Sequence, residues 1–250
     1  MAFAVHAAYK YVSSADLRTI ERLSARLTYE TPIDAAAATL RELQEVAKRA
    51  NNSAVTDAAV VKLKALVLDR SKTSTEARQI RRQTMETAKS LRANDLTRDF
   101  AAEELKQADL FRVDLTSATL RRVSLESASL MGAKLVGADL TTANLSGAYV
   151  RNADFTGANI SGADVGELDW YNAHGFSETQ LRSAVLATME ACPRDASSQH
   201  SVGAFRAKLT TDYRAQWEKF VERDRAQLTK LWDEYAKPGG LCDTVDRWLK

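Results

Sequence analysis

The residue types that most often carry out catalysis are few and scattered in this chain. Its three histidines, His6, His174 and His200, stand near the N-terminus, in a turn-like segment and in a polar segment. No cysteine or carboxylate lies near them at the spacing of zinc ligands, and neither common glycine-rich phosphate-binding motif is present. The sequence therefore predicts no enzyme, no metal site and no cofactor.

Aspartates recur in the middle of the chain, but their spacing does not pair them as an acid and a base. Each occupies the same place in a short repeat, where we expect the side chain to point outward rather than into a shared cleft. We therefore interpret them as structural parts of the repeat. They are Asp109, Asp114, Asp139, Asp154 and Asp164.

The two cysteines, Cys192 and Cys242, are far apart in the sequence. They match no metal-ligand motif, so the default expectation is two buried, reduced thiols, and a disulfide between them is the alternative. The first residues lack the basic region and the long apolar core of a signal peptide. No apolar run reaches the length of a membrane span. These features predict a cytoplasmic protein with no membrane contact.

The elements that must position these side chains are organised by a five-residue repeat between about 100 and 171. A large apolar residue recurs at every fifth position from Leu105 to Val165, and from Leu110 onward a small apolar residue, mostly alanine, stands two positions before each. A period of five fits neither an α-helix nor an ordinary strand. It is typical of a solenoid, in which each repeat stacks on its neighbours.

The segments ADLTTANLSG and ADFTGANISG resemble the motif of the pentapeptide repeat family: Ala, then Asp or Asn, then Leu or Phe, then two variable positions. The resemblance implies a right-handed quadrilateral parallel β-helix, in which four repeats make one square coil. Alternating large and small side chains suit its narrow interior. Residues twenty apart are then neighbours, about 4.8 Å from each other. Glycines are expected at the corners: Gly132, Gly137, Gly147, Gly157 and Gly162.

We predict an α+β protein with three domains, which are a helical bundle over 1–97, the β-helix over 98–171 and C-terminal helices over 172–250. The bundle contains four amphipathic stretches. Its alanine-rich segment DAAAATLRELQEVAKRA resembles the HEAT-type helical pairs that precede pentapeptide repeats in some bacterial proteins. We expect the bundle either to cover the open edge of the β-helix or to bind a partner.

The part after the repeat is predicted to be helical. A capping box at Ser177 and Gln180 predicts a helix as far as about Ala191. A long amphipathic helix is predicted near 203–236, followed by a stop at KPGG and one short helix.

Two apolar surfaces are candidate interaction sites. The first is an outward column on one side of the coil with Tyr149 beside it, covered either by a flanking helix, which we favour, or by a partner protein. The second is the aromatic face of the helix near 203–236, which either packs on the rest of the chain, as we favour, or binds a partner protein or a second copy of the chain in a homodimer. The column comprises Phe111, Met131, Arg151 and Tyr171, and the helix face comprises Phe205, Tyr213, Trp217, Phe220 and Trp232.

Charge is unevenly spread along the chain. Residues 1–97 carry 16 basic and 11 acidic side chains, whereas residues 103–171 carry 6 and 10. Neither excess is large enough to predict direct nucleic acid binding. The one local basic cluster, RQIRRQ at 78–83, supports only a weak hypothesis of nucleic acid contact by the bundle.

The predicted function is a non-catalytic scaffold that binds another protein. The family resemblance implies an alternative, DNA-mimic binding of DNA gyrase or another type II topoisomerase, with protection against quinolones or peptide toxins. The repeat has 13 units and a net charge of −4. It is therefore short and weakly acidic for a DNA mimic.

Overall fold

The computed structural model describes residues 14–72, 74–97, 99–100, 104–184, 230–231, 233–235 and 237–248. The chain divides into two compact units, with the boundary between Asp99 and Phe100. The predicted division between the repeat and the C-terminal helices stays a prediction. None of the helices within these ranges is both long and apolar enough to cross a membrane.

The described part of the first unit consists of four helices, as the amphipathic pattern predicts. They are α1 (Ser14–Ser24), α2 (Ile33–Ala50), α3 (Ser53–Leu68) and α4 (Thr75–Leu91). Both α1 and α4 pack against α2 and α3. Their apolar side chains form one buried core that includes Ile20, Leu23, Leu40, Leu43, Leu63 and Ile80. The likeness to HEAT-type pairs stays a prediction.

Side-chain caps explain where these helices begin and end. Asn52 accepts a hydrogen bond from the Ala54 N–H at 2.8 Å, and Ser74 accepts one from the Ala77 N–H at 3.1 Å. Such bonds satisfy N–H groups that the first helical turn leaves unpaired. Asn51 ends α2 with a left-handed backbone (φ 44°), a conformation that asparagine tolerates. Asn51 and Asn52 thus separate α2 from α3.

The basic segment RQIRRQ is largely built into the bundle. Both Arg78 and Arg81 are buried. The Arg81 guanidinium donates hydrogen bonds to the carbonyl oxygens of Asp69 (2.6 Å) and Lys72 (3.0 Å), and it lies 5.3 Å from the centroid of the Tyr29 ring. These contacts join the α3–α4 connection to α4. The segment is therefore not a displayed basic patch, and this removes the observation behind nucleic acid contact.

The second unit is built on a coil in which every neighbour is twenty residues away. Parallel bridges join Asp114 to Lys134, Lys134 to Asp154 and Asp154 to His174, and the remaining bridges have the same spacing. Each coil consists of four five-residue segments. The structure is thus the β-helix solenoid that the period of five predicts; its handedness stays a prediction.

The coil interior is filled by the two apolar positions of each repeat. The side chains from Leu105 to Val165 at every fifth position are fully buried, and the small residues two positions before them, from Ala108 to Ala163, are also buried. After each central residue the chain makes a four-residue turn, as in the 3.0 Å bond from the Ala118 N–H to the Leu115 carbonyl oxygen. The third residue of such a turn has positive φ throughout, from 54° at Ser127 to 66° at Gly157.

The C-terminal end of the coil is closed by large side chains and a short helix. A 3-10 helix (Trp170–Asn172) buries Trp170, and helix α5 (Glu178–Ser183) follows the predicted capping box. The helix ends at Ser183 rather than at about Ala191, so the prediction of a longer helix is wrong. The Ser183 carbonyl oxygen instead accepts a hydrogen bond from the Gly162 N–H of the coil at 2.6 Å.

The last part of the chain that the structure describes is helical at 230–231 and 233–235, and again in α6 (Leu241–Trp248). The predicted short terminal helix is confirmed. Cys242 lies in α6 and is disulfide-bonded, so the expectation of a reduced thiol is wrong for this residue. The sequence does not distinguish a buried free cysteine from a buried disulfide-bonded one, because in both cases an isolated cysteine lies on an apolar helix face.

Candidate interaction surface

The coil has four sides, which we label by their central buried residues. Side A is centred on Leu110, Leu130 and Val150; side B on Leu115, Leu135 and Phe155; side C on Leu120, Leu140 and Ile160; and side D on Leu105, Leu125, Leu145 and Val165. The residues immediately before and after each central residue point outward. These outward positions are the surface that the repeat offers to a partner.

Aspartate or asparagine before the central residue serves the turn. The Asp114 Oδ1 atom accepts a hydrogen bond from the Thr116 N–H at 2.9 Å, and Asp154 does the same for Thr156. A short side-chain acceptor two residues before an N–H stabilises a turn. The same bond is made by all five aspartates listed above, with Asp109, Asp139 and Asp164 accepting from Phe111, Thr141 and Gly166.

The predicted outward column lies on side A, and most of it is covered. Met131 is 2% exposed, Arg151 5% and Tyr171 6%, whereas Phe111 and Tyr149 are half-buried. Arg112 lies over the Phe111 ring, with its guanidinium carbon 5.2 Å from the ring centroid. The burial agrees with a cover from within the chain. It does not reveal the function of these residues, which stays a hypothesis.

A buried carboxylate beside this column escaped the sequence analysis. Burial raises the pKa of Asp169 to about 6, although hydrogen bonds from Asn172 and Val150 and the charge of Arg151 act against it. The Asn172 side-chain amide donates to Asp169 Oδ2 at 3.0 Å. Burial, together with Asp169 and Glu167, also raises the pKa of Tyr149. One signal was available in the sequence: Asp169 occupies an outward position on the side that carries the apolar column.

The outward positions of sides B and C are all exposed or half-buried. On side B, Lys134 and Thr156 are exposed, and Asp114 and Asp154 are half-buried. Lys134 stands between the two aspartates in the ladder of parallel bridges. Asp114, Lys134 and Asp154 therefore form a column of alternating charge on this side.

Side C carries hydroxyl, amide and charged groups. Arg121 donates a hydrogen bond to Asp139 at 2.5 Å, and the hydroxyl group of Thr141 also bonds this carboxylate at 2.5 Å. Burial opposes ionisation of Asp139, but these partners outweigh it and lower its pKa. Asn159 and Ser161 are exposed, as is Arg122 at the corner that follows this side. The side is thus polar and contains both signs of charge.

The structure does not test the predicted aromatic helix face. Its members, Phe205, Tyr213, Trp217, Phe220 and Trp232, lie outside the described residues. Near this segment, Tyr235 is buried against the coil end, with its ring 5.8 Å from that of Trp170. Among the residues that the structure does describe, no group of three His, Cys, Asp or Glu side chains is arranged to hold a metal ion.

The coil places this part of the chain in a known class of protein. Residues 108–147 and 136–167 match the family of pentapeptide repeats, with eight copies of the repeat. The predicted resemblance is confirmed for this segment, and the chain carries a pentapeptide repeat solenoid.

A solved structure with a similar sequence is a pentapeptide repeat protein from the thylakoid lumen of Arabidopsis thaliana. It is 33% identical over 28% of this chain and 48% of its own length, with a TM-score of 0.23. The chain thus spans about half the length of that relative. Among curated proteins, none matches the chain.

Proposed function

We propose that the chain is a non-catalytic scaffold that presents sides B and C of its coil to another protein. The observation that carries this proposal is the contrast between sides. The outward column of side A is mostly buried, whereas the outward residues of sides B and C are exposed or half-buried and, apart from Val136, polar. A surface that is not covered by the chain itself is the one open to a partner.

Rigidity makes such a surface suited to binding. Successive coils are joined by backbone hydrogen bonds, such as those from the Leu115 N–H to the Lys134 carbonyl oxygen (2.7 Å) and from the Lys134 N–H to Val113 (2.9 Å). Binding through these side chains costs little backbone conformational entropy, because the backbone is already ordered. Preorganisation of this kind increases affinity without adding contacts.

The chemistry of the two sides indicates a polar protein partner. Hydroxyl groups, amides and both signs of charge alternate along them, including Lys134, Arg122, Asn159 and Ser161. Protein interfaces commonly contain about one hydrogen bond per 100–200 Å² and need no deep pocket. A flat protein surface with matching donors and acceptors fits this pattern better than a small molecule does.

The topoisomerase hypothesis receives less support from the same surface. A mimic of duplex DNA needs a continuous negative surface, but Lys134 interrupts the carboxylates of side B, and Arg121 and Arg122 stand on side C. Cytoplasmic localisation and homodimer formation through the aromatic helix face remain expectations.

The experiment is a capture from host lysate with the intact chain and two face variants. One variant changes the corners that follow side C, by Arg122→Glu with Thr142→Arg, and the other changes side B and the corner that follows it, by Lys134→Glu with Ser117→Arg. All four positions are exposed, so circular dichroism should show an unchanged fold. We expect a protein captured in stoichiometric amount by the intact chain and lost in at least one variant.

Each variant serves as the matched control for the other, since both reverse one charge and add one arginine on the same frame. If capture is equally strong in both variants, the binding surface lies elsewhere and the assignment to sides B and C is wrong. Capture of topoisomerase subunits that is lost on side B would restore the alternative.

A further inference from the structure

Helix α3 has an apolar outer face that the proposed binding function does not use. Among the residues that the structure describes, Val61 is the one large apolar side chain that is exposed, with a relative exposure of 62%. Ala65 is exposed beside it, and Ala54, Ala58 and Leu68 are half-buried. We call these five residues the outer stripe of α3.

The outer stripe differs from the outer face of the neighbouring helix α2. Between residues 41 and 49 of α2, every exposed residue is charged, as is usual for the side of an amphipathic helix that faces water. In α3, core residues such as Leu63 occupy the inner face, so the outer stripe is a second apolar face. An apolar face of this kind is typical of a surface that another element covers.

The spacing of the outer stripe is that of a helix–helix contact. Its members follow one another at intervals of four, three, four and three residues, from Ala54 to Leu68. This alternation keeps the side chains on one line along the helix, and it is the pattern by which two helices pack side by side. Three of the five members are alanine, so the two helix axes can approach closely.

The outer stripe has the same pattern when it is read in reverse. Val61 lies at its centre, Ala58 and Ala65 lie three and four residues from it, and Ala54 and Leu68 each lie seven residues from it. Against an antiparallel second copy of α3, Val61 therefore meets Val61, Ala58 meets Ala65, and Ala54 meets Leu68. A surface that matches itself in this way is what a two-fold symmetric dimer requires.

Charge along one edge of the stripe favours the same arrangement. Asp57 and Lys64 are seven residues apart and lie on the same edge of α3. The Arg92 guanidinium contacts Asp57 at 2.6 Å and Asp99 at 2.5 Å, so this group of two carboxylates and one guanidinium has a net charge of −1 beside the N-terminal half of the stripe. Lys64 is basic and lies beside the C-terminal half. An antiparallel second copy brings each negative group opposite a lysine, whereas a parallel copy would bring like charges together.

A groove between α1 and α3 lies along the other edge of the stripe. Its volume is about 290 Å³, and its lining includes Ala25, Ala65 and Leu66, with Glu21 and Lys62 contributing one charge of each sign. The α3 residues that line it belong to the C-terminal half of the helix. In an antiparallel pair, the N-terminal half of α3 from the second copy lies along this half, so its small side chains face the groove.

We propose that the chain forms a two-fold symmetric dimer in which α3 packs antiparallel against α3 of a second copy, with Val61 on the symmetry axis. A pair of helices of 16 residues, each about 24 Å long, buries less area than a permanent dimer interface does. We therefore expect association at micromolar concentrations. Each copy contributes one coil, so a partner with two equivalent sites is bound more tightly by the dimer than by one chain.

The mass of the intact chain in solution tests the dimer. In sedimentation equilibrium over a range of micromolar concentrations, we expect the mass to rise from that of one chain towards that of two. Val61→Glu places two carboxylates together on the symmetry axis, so the dissociation constant should increase by about tenfold or more. Ala38→Glu adds the same charge at an exposed position of α2, and it should change the dissociation constant by less than about twofold.

Both substituted side chains are exposed, so the circular dichroism of the two variants should match that of the natural chain. A natural chain that remains a monomer at the highest concentration overturns the proposal. A dimer that Val61→Glu does not weaken also overturns it, because the contact then lies elsewhere in the chain.

Disulfide trapping tests the antiparallel register without adding charge to the stripe. Under mild oxidation, Val61→Cys chains should form a bond between the two introduced cysteines, because these lie together on the symmetry axis. An equimolar mixture of Ala58→Cys and Ala65→Cys chains should form a bond between the two kinds of chain. Ala65→Cys alone should not, since its two copies lie about 10–12 Å apart along the helix axis, farther than the roughly 7 Å between Cα atoms that a disulfide spans.

Mass spectrometry of the digested dimers identifies which cysteines are joined and distinguishes these bonds from any bond of the natural Cys192 or Cys242. Glu42→Cys, at an exposed position of α2, is the control and should remain unlinked. Absence of a bond in Val61→Cys contradicts the dimer. A bond in Ala65→Cys alone, with none in the mixture, would indicate parallel helices and contradict the proposed arrangement.

Discussion

Each corner of the coil requires one residue with a left-handed backbone. Eight of these corner positions are occupied by residues other than glycine, including Arg112, Thr142 and Asn152, at φ values of 54° to 60°. A left-handed conformation costs an ordinary residue roughly 1–2 kcal/mol. This cost recurs at each such corner, because the hydrogen bonds between coils and the packed interior determine the corner geometry.

Gly157 offers a test of this cost without steric interference. Its φ is 66°, and a Cβ atom there would meet nothing within 4 Å. We expect Gly157→Val to lower the free energy of unfolding by about 1–3 kcal/mol, because a β-branched residue is strained at positive φ. The control is Gly157→Asn, for which the loss should be smaller, since Asn152 adopts the same conformation. Denaturant unfolding measures both, and equal losses would contradict the backbone explanation.

The small interior residues set the width of the coil. Ala138 is fully buried between neighbouring coils, so Ala138→Leu must displace packed side chains. We expect a loss of about 1–3 kcal/mol in the free energy of unfolding, and a similar loss for Ala143→Leu. Lys134→Leu adds an apolar side chain at an exposed position and is the control. Unchanged stability in both interior variants would argue against a packed coil.

Asp169 makes stability depend on pH. Its pKa is raised from 3.8 to about 6 by burial, so the folded state binds a proton more tightly than the unfolded state does. The protonated form is therefore favourable to folding below pH 4, and this contribution is lost as pH rises through 6. The loss amounts to about 3 kcal/mol at most.

Comparison with Asp169→Asn isolates this effect from the other carboxyl groups. Between pH 4 and pH 7.5, the stability of the natural chain should fall relative to that of the variant. Urea unfolding at several pH values measures the difference. A constant difference across this range would mean that Asp169 titrates normally in the folded state.

At the scale of elements, the end of the coil depends on the side-chain amide of Gln180. An unpaired strand edge exposes backbone carbonyl groups, and helix α5 covers this edge with donors as well as apolar surface. The Phe176 ring also stacks on that of Phe155, with the centroids 4.6 Å apart. Helix α5 therefore closes the solenoid both chemically and sterically.

Replacing Gln180 by Glu keeps the shape of the side chain but removes its two donors. At pH 7 the carboxylate would face the carbonyl oxygens of Phe155 and Ala158, so we expect a loss of about 2–3 kcal/mol in the free energy of unfolding. Glu178→Gln, on the exposed side of the same helix, is the control and should change little. If the two variants are equally stable, the bonds from Gln180 do not hold the cap.

Different elements were predictable to different extents. Helix starts were marked by local signals, such as Asn52 and Ser74, and the coil register followed from the exact spacing of Leu105 and its successors. The end of α5 at Ser183 could not be predicted from the sequence, because it depends on a hydrogen bond from Gly162. Local patterns encode local structure, whereas contacts between distant segments leave no fixed spacing.

The candidate surface shows the same limit. The columns on sides A, B and C could be derived from the twenty-residue rule. Burial of Met131 and Arg151, in contrast, depends on what covers them, and the sequence offered that cover only as one of two alternatives. The burial of Asp169 and Arg81 was missed, since charged residues in a repeat or a helix usually face water.

At the scale of the whole molecule, chain length and orientation are linked. Duplicating residues 125–144 adds one complete coil, and every later residue keeps its side. Duplicating residues 140–144 adds one quarter of a coil and moves Arg151 and Tyr171 away from side A, where Met131 remains. We expect the five-residue insertion to lower the Tm more than the twenty-residue insertion, because it splits the buried column.

Thermal unfolding followed by circular dichroism compares the two insertions directly. The longer insertion is the control for the presence of additional chain, since it disturbs more sequence but preserves the register. An equal decrease in Tm would show that the buried column of side A does not depend on its alignment.

The division of labour within each repeat also has an evolutionary consequence. Folding is specified by the two interior residues, the turn-forming aspartate or asparagine and the left-handed corner, as at Ala138, Asp139, Leu140 and Thr142. The position after the central residue, such as Thr141, is constrained least. During evolution, substitutions at these outward positions can therefore change the binding specificity of the exposed sides without affecting folding. Such a change of specificity requires no compensating substitution in the interior.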